Sequence, residues 1–342
     1  MITVNDDLFV HAPAPGFNGW FDRFYFNLHS AGGLSLSQGM GTYPQDGVVD
    51  GFAVVVENGR QRNIRAARDG LVDADKIKVG PLSAEVLEPG KRWAFRLGEN
   101  ASGVSYDLRF EGELPPFDAG RIQQVSRRTG DVADVSHLVQ VGRVDGWLRV
   151  DGTTEEVHHE SWFGLRDRSW GVRPGPRALP PPQAPAPEAG RGPHDWVLGR
   201  LGDHCMFLLL AGSRTRGEQL LAAGILGAES SVEVVKVERT LVWEEGGRFG
   251  GARLDLKTAT GDVVGVTVGP PLQTLYLRGG LYGGWQGQRH GSHRGPLHIE
   301  TEVWAIEEQA TLDIVAGLND HVVAFDSSLG RGFGIYEVAA GF

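Results

Sequence analysis

Residues 52–66 read FAVVVENGRQRNIRA, with Asn58-Gly59 between two runs of strand length. The dipeptide Asn-Gly readily takes the positive φ angles that a two-residue hairpin turn requires. We therefore predict a β-hairpin centred on Asn58-Gly59. A second hairpin is predicted for residues 93–110, where apolar residues alternate with polar or small ones on both sides of a loop.

The same alternation recurs along the chain, in residues 138–150, 232–242, 253–268, 297–306 and 321–338. Gly supplies 50 of the 342 residues, about twice its usual share, which predicts frequent turns. No segment longer than about ten residues keeps a helical period without Gly or Pro. The sequence therefore predicts an all-β fold.

Residues 173–193 are rich in proline. Proline lacks the N–H that a sheet needs and favours extended backbone, so we expect a linker or a long surface loop here. The linker separates an N-terminal domain of residues 1–172 from a C-terminal domain of residues 194–342. Because many short strands at regular spacing lie on each side, we predict two antiparallel β-barrel or sandwich domains.

Composition restricts the classes of partner. With 33 basic and 43 acidic residues the net charge is −10, which would repel nucleic acid. No stretch approaches the roughly 18 apolar residues of a transmembrane helix, and residues 1–16 do not resemble a secretory signal. Cys205 is the only cysteine, which forbids an internal disulfide and suits a reducing compartment. We expect a cytoplasmic protein that binds no nucleic acid, and the sequence leaves its oligomeric state open.

Motifs for cofactors are absent from the sequence. Gly39-Met-Gly41 is Gly-rich but lacks the Lys-Ser/Thr pair of a phosphate loop, and there is no Gly-x-Ser-x-Gly elbow. His159-Glu160 is followed by Ser-Trp-Phe, which breaks the His-Glu-x-x-His pattern of zinc proteases. We therefore predict no cofactor.

A histidine cluster raises the question of a metal. His290, His293 and His298 lie within nine residues, with Glu300 and Glu302 close behind. Solvated imidazoles in a Gly- and Arg-rich loop are the stronger interpretation of His290 and His293. We predict no metal site, and the sequence does not decide whether these histidines have any role.

Residues 158–173 form the densest cluster of polar and aromatic residues in the chain. As a strand, this stretch would place Asp167 on the same side as Phe163 and Leu165, with Arg166 and Arg168 on the other side. A carboxyl group in an apolar barrel interior is desolvated, which raises its pKa and lets it donate a proton near neutral pH. The alternative is that Asp167 forms a structural ion pair with an arginine.

Within this cluster, residues 164–171 read GLRDRSWG. This resembles the Gly-x-x-Asp-His-x-Trp-Gly signature of the lipocalin-like superfamily that contains carotenoid 1,2-hydratase (hydroxyneurosporene synthase), the AttH-like proteins and the fungal decalin-forming Diels-Alderases. Residues 140–152 look like the strand pair that precedes the signature in bacterial relatives. The signature His is replaced by Arg168 here, and the position of a Tyr common in hydratases is Leu165.

The resemblance implies two calycin-like β-barrel domains with a hydrophobic cavity for an isoprenoid, polyene or other lipophilic substrate. Asp167 matches the signature aspartate, which is the proposed acid/base of the hydratases, and His159 and Trp162 match upstream family positions. Because imidazole titrates near physiological pH, His159 is the candidate second proton carrier. Substrate contacts are expected from six residues of this stretch: Trp162, Leu165, Arg166, Arg168, Ser169 and Trp170.

Three functions are compatible with these expectations. The leading hypothesis is a hydratase, dehydratase or isomerase in which Asp167 gives a proton to an alkene or hydroxyl group, beside aromatic rings that stabilise a developing cation. A non-catalytic carrier of a lipophilic small molecule would use the same cavity. A pericyclase-like cyclase would instead fold a polyene and polarise it with hydrogen bonds from Arg166, Arg168 or Ser169.

Overall fold

The computed structural model describes residues 7–9, 19–30, 33–125, 132–173, 191–213 and 217–339. Within them the chain forms 22 strands and one short α-helix, α1 (Gln309–Val315), which confirms the predicted all-β fold with two β domains. None of the helices in these residues has the length and apolar character that crossing a membrane requires. By contacts the chain divides into two units. The first is Met1–Pro182 with Tyr276–Ala316, and the second is Gln183–Leu275 with Gly317–Phe342.

The strands follow one another with short connections. In chain order they are β1 (Trp20–Ser30), β2 (Ser35–Tyr43), β3 (Val48–Glu57), β4 (Arg60–Asp69), β5 (Lys76–Val79), β6 (Leu82–Glu88), β7 (Arg92–Leu97), β8 (Val104–Gly112), β9 (Phe117–Val125), β10 (Val132–Val150), β11 (Thr153–Val157), β12 (Trp162–Val172), β13 (Arg191–Leu201), β14 (His204–Ser213), β15 (Gly217–Leu226), β16 (Ser231–Trp243), β17 (Phe249–Thr258), β18 (Val263–Val268), β19 (Gln273–Tyr276), β20 (His298–Ala305), β21 (Asn319–Ser327) and β22 (Gly330–Ala339).

The first unit is built on a 13-stranded sheet. Its main path runs β20-β4-β3-β2-β1-β12-β10-β8-β7-β6-β5, and β9 and β11 both pair with β10. Both predicted hairpins are confirmed, because β3 pairs with β4 and β7 with β8, antiparallel in each case. Asn58 and Gly59 have φ angles of 49° and 71°, as the turn between β3 and β4 requires.

The two faces of this sheet differ in character. Phe24 and Phe26 of β1 point into the apolar core, where the Trp93 ring lies 4.3 and 5.5 Å from theirs. We call this side the core face. The alternate residues of β1, among them Arg23 and Tyr25, point to the opposite side, which we call the second face. Residues directly opposite each other on neighbouring antiparallel strands share a face. The register therefore assigns the residues of each strand to the core face or to the second face.

The second unit contains a closed barrel of eight strands, in the order β18-β17-β16-β15-β14-β13-β22-β21. Pairing of β18 with β21 completes the circle. Leu208, Leu254 and Val323 are among the buried residues of its core. Closure of this kind leaves no unpaired edge along the barrel wall.

The predicted domain boundary stays a prediction, because residues 174–190 of the proposed linker lie outside the described residues. The contacts nevertheless place Tyr276–Ala316 with the first unit, whereas the sequence grouped this segment with residues 194–342. The cause is long-range pairing: β20 forms the edge of the first unit's sheet next to β4.

Candidate functional site

The signature stretch forms strand β12, as predicted. Its register against β1 places Arg166 opposite Phe26 and Arg168 opposite Phe24, so both arginines lie on the core face. Asp167 therefore lies on the second face. The sequence predicts Asp167 on the apolar interior with the arginines on the other side, and that prediction of sides is wrong.

Arg166 and Arg168 are buried in the core because each has its own carboxylate. Arg166 donates to Asp7 at 2.7 and 3.1 Å and to Gln140 at 2.7 Å. Arg168 donates to Asp22 at 2.7 and 3.2 Å. A buried guanidinium is stable only with such a partner. These contacts engage the guanidinium groups of both arginines, for which the sequence predicts contacts with substrate.

The other predicted substrate contacts divide between the faces. Trp162 is buried in the apolar core, and the Trp170 ring lies 4.4 Å from the Arg168 guanidinium. Leu165 and Ser169 lie on the second face with Asp167. Of the three residues given a polarising role in the cyclase hypothesis, only Ser169 therefore reaches the second face.

Asp167 is half-buried, with Tyr25 of β1 and Val139 of β10 directly opposite it. Its place beside Tyr25 puts it on the second face and not in the apolar core. The predicted role of Asp167 as acid/base stays a prediction.

His159 lies far from Asp167. Its Nδ1 is 2.9 Å from Asp145, and the side chain is 41% exposed. From Val139, opposite Asp167, to Asp145 the strand rises by about 20 Å. The hydrogen bond to Asp145 raises the pKa of His159. The structure does not bring His159 and Asp167 together as a pair of proton carriers.

The second face carries a compact polar cluster, which we call the second-face site. It consists of Arg23 of β1, Tyr43 of β2, Asp50 of β3, and Tyr282 and His290 from the segment before β20. Cation, hydroxyl and carboxylate converge over Gly41. A Cβ atom at Gly41 would lie 3.1 Å from the Tyr43 hydroxyl and 3.3 Å from an Asp50 oxygen. The absence of a side chain at residue 41 thus makes room for the cluster.

His290 is the central group of the site. Its Nδ1 lies 3.4 Å from Oδ2 of Asp50, and the backbone N–H of Gly291 donates to that same oxygen at 2.7 Å. Within the described residues, Nε2 of His290 is buried and has no hydrogen-bond partner. Nδ1 lies near the carboxylate but likewise makes no hydrogen bond in the described residues, so the imidazole has one nitrogen beside a carboxylate and one available to a ligand.

Burial sets the charge states of this pair. Desolvation, reinforced by the Arg23 charge, lowers the pKa of His290 to about 4 although Asp50 opposes the shift. Burial would raise the pKa of Asp50, but His290, Arg23 and the Gly291 N–H outweigh it and lower that pKa. At neutral pH the pair is thus a neutral imidazole beside an ionised carboxylate, which is the form that accepts a proton.

Aromatic rings form an apolar wall next to His290. Phe52 lies 6.1 Å from Tyr25 and 5.9 Å from Tyr282, and the His290 ring is 5.0 Å from Tyr282. Gly39 provides the space for Phe52, since a Cβ there would lie 2.2 Å from the Phe52 ring. The second-face site therefore combines polar groups with an aromatic surface, as sites for small organic molecules do.

The other clustered histidines have separate partners. His293 is 2.9 Å from Asp69, and His298 is 3.6 Å from Glu300. In the part of the chain that the structure describes, no group of three or more His, Cys, Asp or Glu side chains is arranged to hold a metal ion.

Comparisons with solved structures identify the fold. An AttH-like protein from Nitrosomonas europaea matches with 12% identity and a TM-score of 0.57, over 97% of this chain and all of the other. CghA matches with 11% identity and a TM-score of 0.51, over 94% of this chain and 88% of the other. Kievitone hydratase from Nectria haematococca has 11% identity and a TM-score of 0.49, over 94% and 89%. The fold is that of the AttH-like proteins, as residues 164–171 indicated.

Sequence comparison supplies the family. The sequence model of a family of unknown function (DUF8625) matches residues 8–339, and the chain belongs to this family. None of the curated proteins matches the sequence.

Proposed function

We propose that the protein is an acid/base lyase or isomerase of the hydratase/dehydratase type, acting on a hydrophobic isoprenoid, polyene or polyketide-like molecule at the second-face site. The observation that carries this proposal is His290, a half-buried neutral imidazole whose Nδ1 lies 3.4 Å from Asp50 and whose Nε2 has no hydrogen-bond partner in the described residues. A base oriented by a carboxylate is a recurrent arrangement for proton transfer.

One imidazole accounts for both proton transfers. Nε2 of His290 takes a proton from a carbon next to a carbonyl group, and the C–H electron pair moves into the carbonyl to form an enolate. In an isomerisation the imidazolium returns the proton to a more distant carbon as the double bond shifts. In a dehydration the proton goes to the leaving β-hydroxyl group, which departs as water. Asp50 stabilises the imidazolium between the two steps.

The surroundings of His290 favour this chemistry. Phe52, Tyr25 and Tyr282 offer apolar contact to the substrate and limit water at the reacting carbon. Asp167 lies beside Tyr25 on the same face, and we retain it as a predicted acid and as the alternative donor of the second proton. Positioned acid/base groups contribute roughly 10² to 10⁴ in rate, so binding and orientation supply the rest of the acceleration.

The test uses aryl and prenyl ketones that carry either a β-hydroxyl group or a β,γ-double bond, incubated with the protein in D₂O. Mass spectrometry reads loss of water, movement of the double bond, or uptake of deuterium at carbon. We expect wild-type protein to convert at least one of these ketones, and His290→Gln to lower the rate by at least about hundredfold. Asp167→Asn tests Asp167 as the proton donor in the same assay, and it should lower the rate if Asp167 gives the second proton.

His293→Gln is the matched control, because His293 lies three residues away in the same segment and its side chain is 66% exposed. It should retain the wild-type rate. Ketones that bind but come back unchanged, without deuterium, would contradict the enzyme proposal and favour the non-catalytic carrier. Full turnover by His290→Gln would remove His290 from the mechanism.

A further inference from the structure

Arg23 differs from the other buried arginines of its sheet. Arg65 lies 2.8 Å from Glu300 and 2.7 Å from Glu302. Arg166 and Arg168 are each paired with an aspartate, as described above. Arg23 is only 6% exposed, yet among the described residues no carboxylate lies within ion-pair distance of its guanidinium.

The contacts of Arg23 are those of an incomplete site. Its Nη2 donates to the Tyr43 hydroxyl at 2.8 Å, and its guanidinium lies 5.5 Å from the centre of the Tyr282 ring. Neither group carries a compensating negative charge. The Asp50 carboxylate favours the charge of Arg23 from beyond ion-pair distance, and one of its oxygens accepts a hydrogen bond from Gly291 and lies 3.4 Å from His290. A buried guanidinium usually has a carboxylate in direct contact, and Arg23 has none among the described residues.

The β12 side of Arg23 offers space for a ligand group. The register partner there is Ser169, which has a small side chain, whereas the space over the partner on β2, Gly41, is taken by Tyr43 and Asp50. Ser169 also offers a hydroxyl donor at the margin of the same space. The aromatic wall of Tyr25 and Phe52 begins in the next row of the sheet. A ligand that fills this space would therefore meet a cation at one end and aromatic rings along its length.

We propose that Arg23 binds the carboxylate of an amphipathic organic acid, whose apolar part lies along the aromatic wall of the second-face site. The two coplanar oxygens of a carboxylate suit the fork of a guanidinium. A doubly charged phosphate would be repelled by Asp50 and Asp167. The inference rests on the proposed function only in sharing its site, and it specifies the substrate class as a carboxylic acid.

The test compares three probes of one shape: 4-phenylbutyrate, 4-phenylbutanol and 4-phenylbutylamine. Isothermal titration calorimetry at pH 7 measures binding of each to the full-length protein. A charge-assisted contact in a buried site predicts that the acid binds about tenfold to hundredfold more tightly than the alcohol, with the amine weakest. Equal binding of acid and alcohol by the wild-type protein would overturn the proposal without any variant.

Variants then assign the preference to Arg23. Arg23→Met should abolish the preference for the acid, and Arg23→Lys should keep part of it, because lysine retains the charge but not the fork. Arg62→Met is the control, since Arg62 is paired with Asp151 on the core face of the same sheet. If Arg23→Met folds and still prefers the acid, the assignment to Arg23 is wrong. If Arg23→Met does not fold, the binding of the three probes by the wild type and by Arg23→Lys still tests the proposal.

The two proposals fail separately. His290→Gln should keep the preference for 4-phenylbutyrate even though it loses turnover. Wild-type protein that binds the acid selectively but converts no ketone would contradict the proposed reaction and leave the carboxylate site in place. Conversion of ketones without any selectivity for the acid would contradict the carboxylate site and leave the proposed reaction in place.

Discussion

The substitution Asp7→Ala removes the carboxylate that neutralises Arg166 inside the core. Asp7 accepts hydrogen bonds from Gly90 N at 2.6 Å, from Trp93 Nε1 at 3.2 Å and from Arg166 at 2.7 and 3.1 Å. The Asp7 and Arg166 side chains are 1% and 0% exposed. Loss of one partner leaves an uncompensated buried charge, for which the expected cost is about 3–5 kcal/mol of the free energy of unfolding.

Urea denaturation of wild type, Asp7→Ala, Arg166→Met and the double variant measures this cost and the coupling between the two residues. Because methionine leaves no charge to compensate, the double variant should be more stable than the sum of the single changes predicts. A loss below about 1 kcal/mol for Asp7→Ala would refute the reasoning, since a buried ion pair cannot be broken so cheaply.

Two further changes test the packing and electrostatics of the second face. His29 is fully buried with neither ring nitrogen partnered in the described residues, and burial lowers its pKa to about 3. Between about pH 6.5 and 3 only the unfolded chain binds a proton at His29, so the free energy of unfolding of the wild type should fall by about 2 kcal/mol from pH 7 to pH 5 on account of this residue. His29→Phe should remove that part of the loss, as measured by urea denaturation at the two pH values. Equal acid sensitivity of the variant and the wild type would contradict this. Gly39→Ala should destabilise the protein by about 1–3 kcal/mol through its clash with Phe52. Gly98→Ala should be neutral by thermal melting, because Gly98 is exposed and its Cβ would meet Pro81 only at ordinary contact distance. Similar melting temperatures for both variants would contradict the clash at Gly39.

Local signals in the sequence were sufficient for the fold class. Asn58-Gly59 specifies its hairpin through backbone conformation, and alternation of side chains specifies strands, so neither depends on distant residues. The alternation of β12 also divided its residues correctly into two sets. Alternation alone does not say which set faces the core, and the choice of side was wrong.

The reason for that error is that the deciding partners are remote. Arg166 is paired with Asp7, 159 residues away, and Arg168 with Asp22, 146 residues away. In the sequence alone, a charged residue at a core position cannot be distinguished from a surface residue, because its distant counterion is not apparent. No pattern within residues 158–173 contains that information.

The second-face site was missed for the same reason. Gly291 donates to Asp50 across 241 residues of sequence. The pairing of β20 with β4 and the hydrogen bonds of Gln61 and Arg65 to Tyr276 and Gly279 bring the two segments together. His290 stands in a loop rich in Gly and Arg, which favoured a solvated side chain. The signal in the sequence was the glycine pair 39 and 41 in a strand, a marker of close approach that was weighed only as a phosphate loop.

The central claim is that His290 is a half-buried imidazole that is neutral at neutral pH. An NMR titration of ring-labelled histidine, with the His290 signal assigned from His290→Gln, tests it directly. The structure predicts that this ring stays neutral down to pH 5, consistent with a pKa of about 4. A midpoint near the ordinary histidine value of about 6.5 would contradict the account, because desolvation and the Arg23 charge would then not outweigh the effect of Asp50 on this ring.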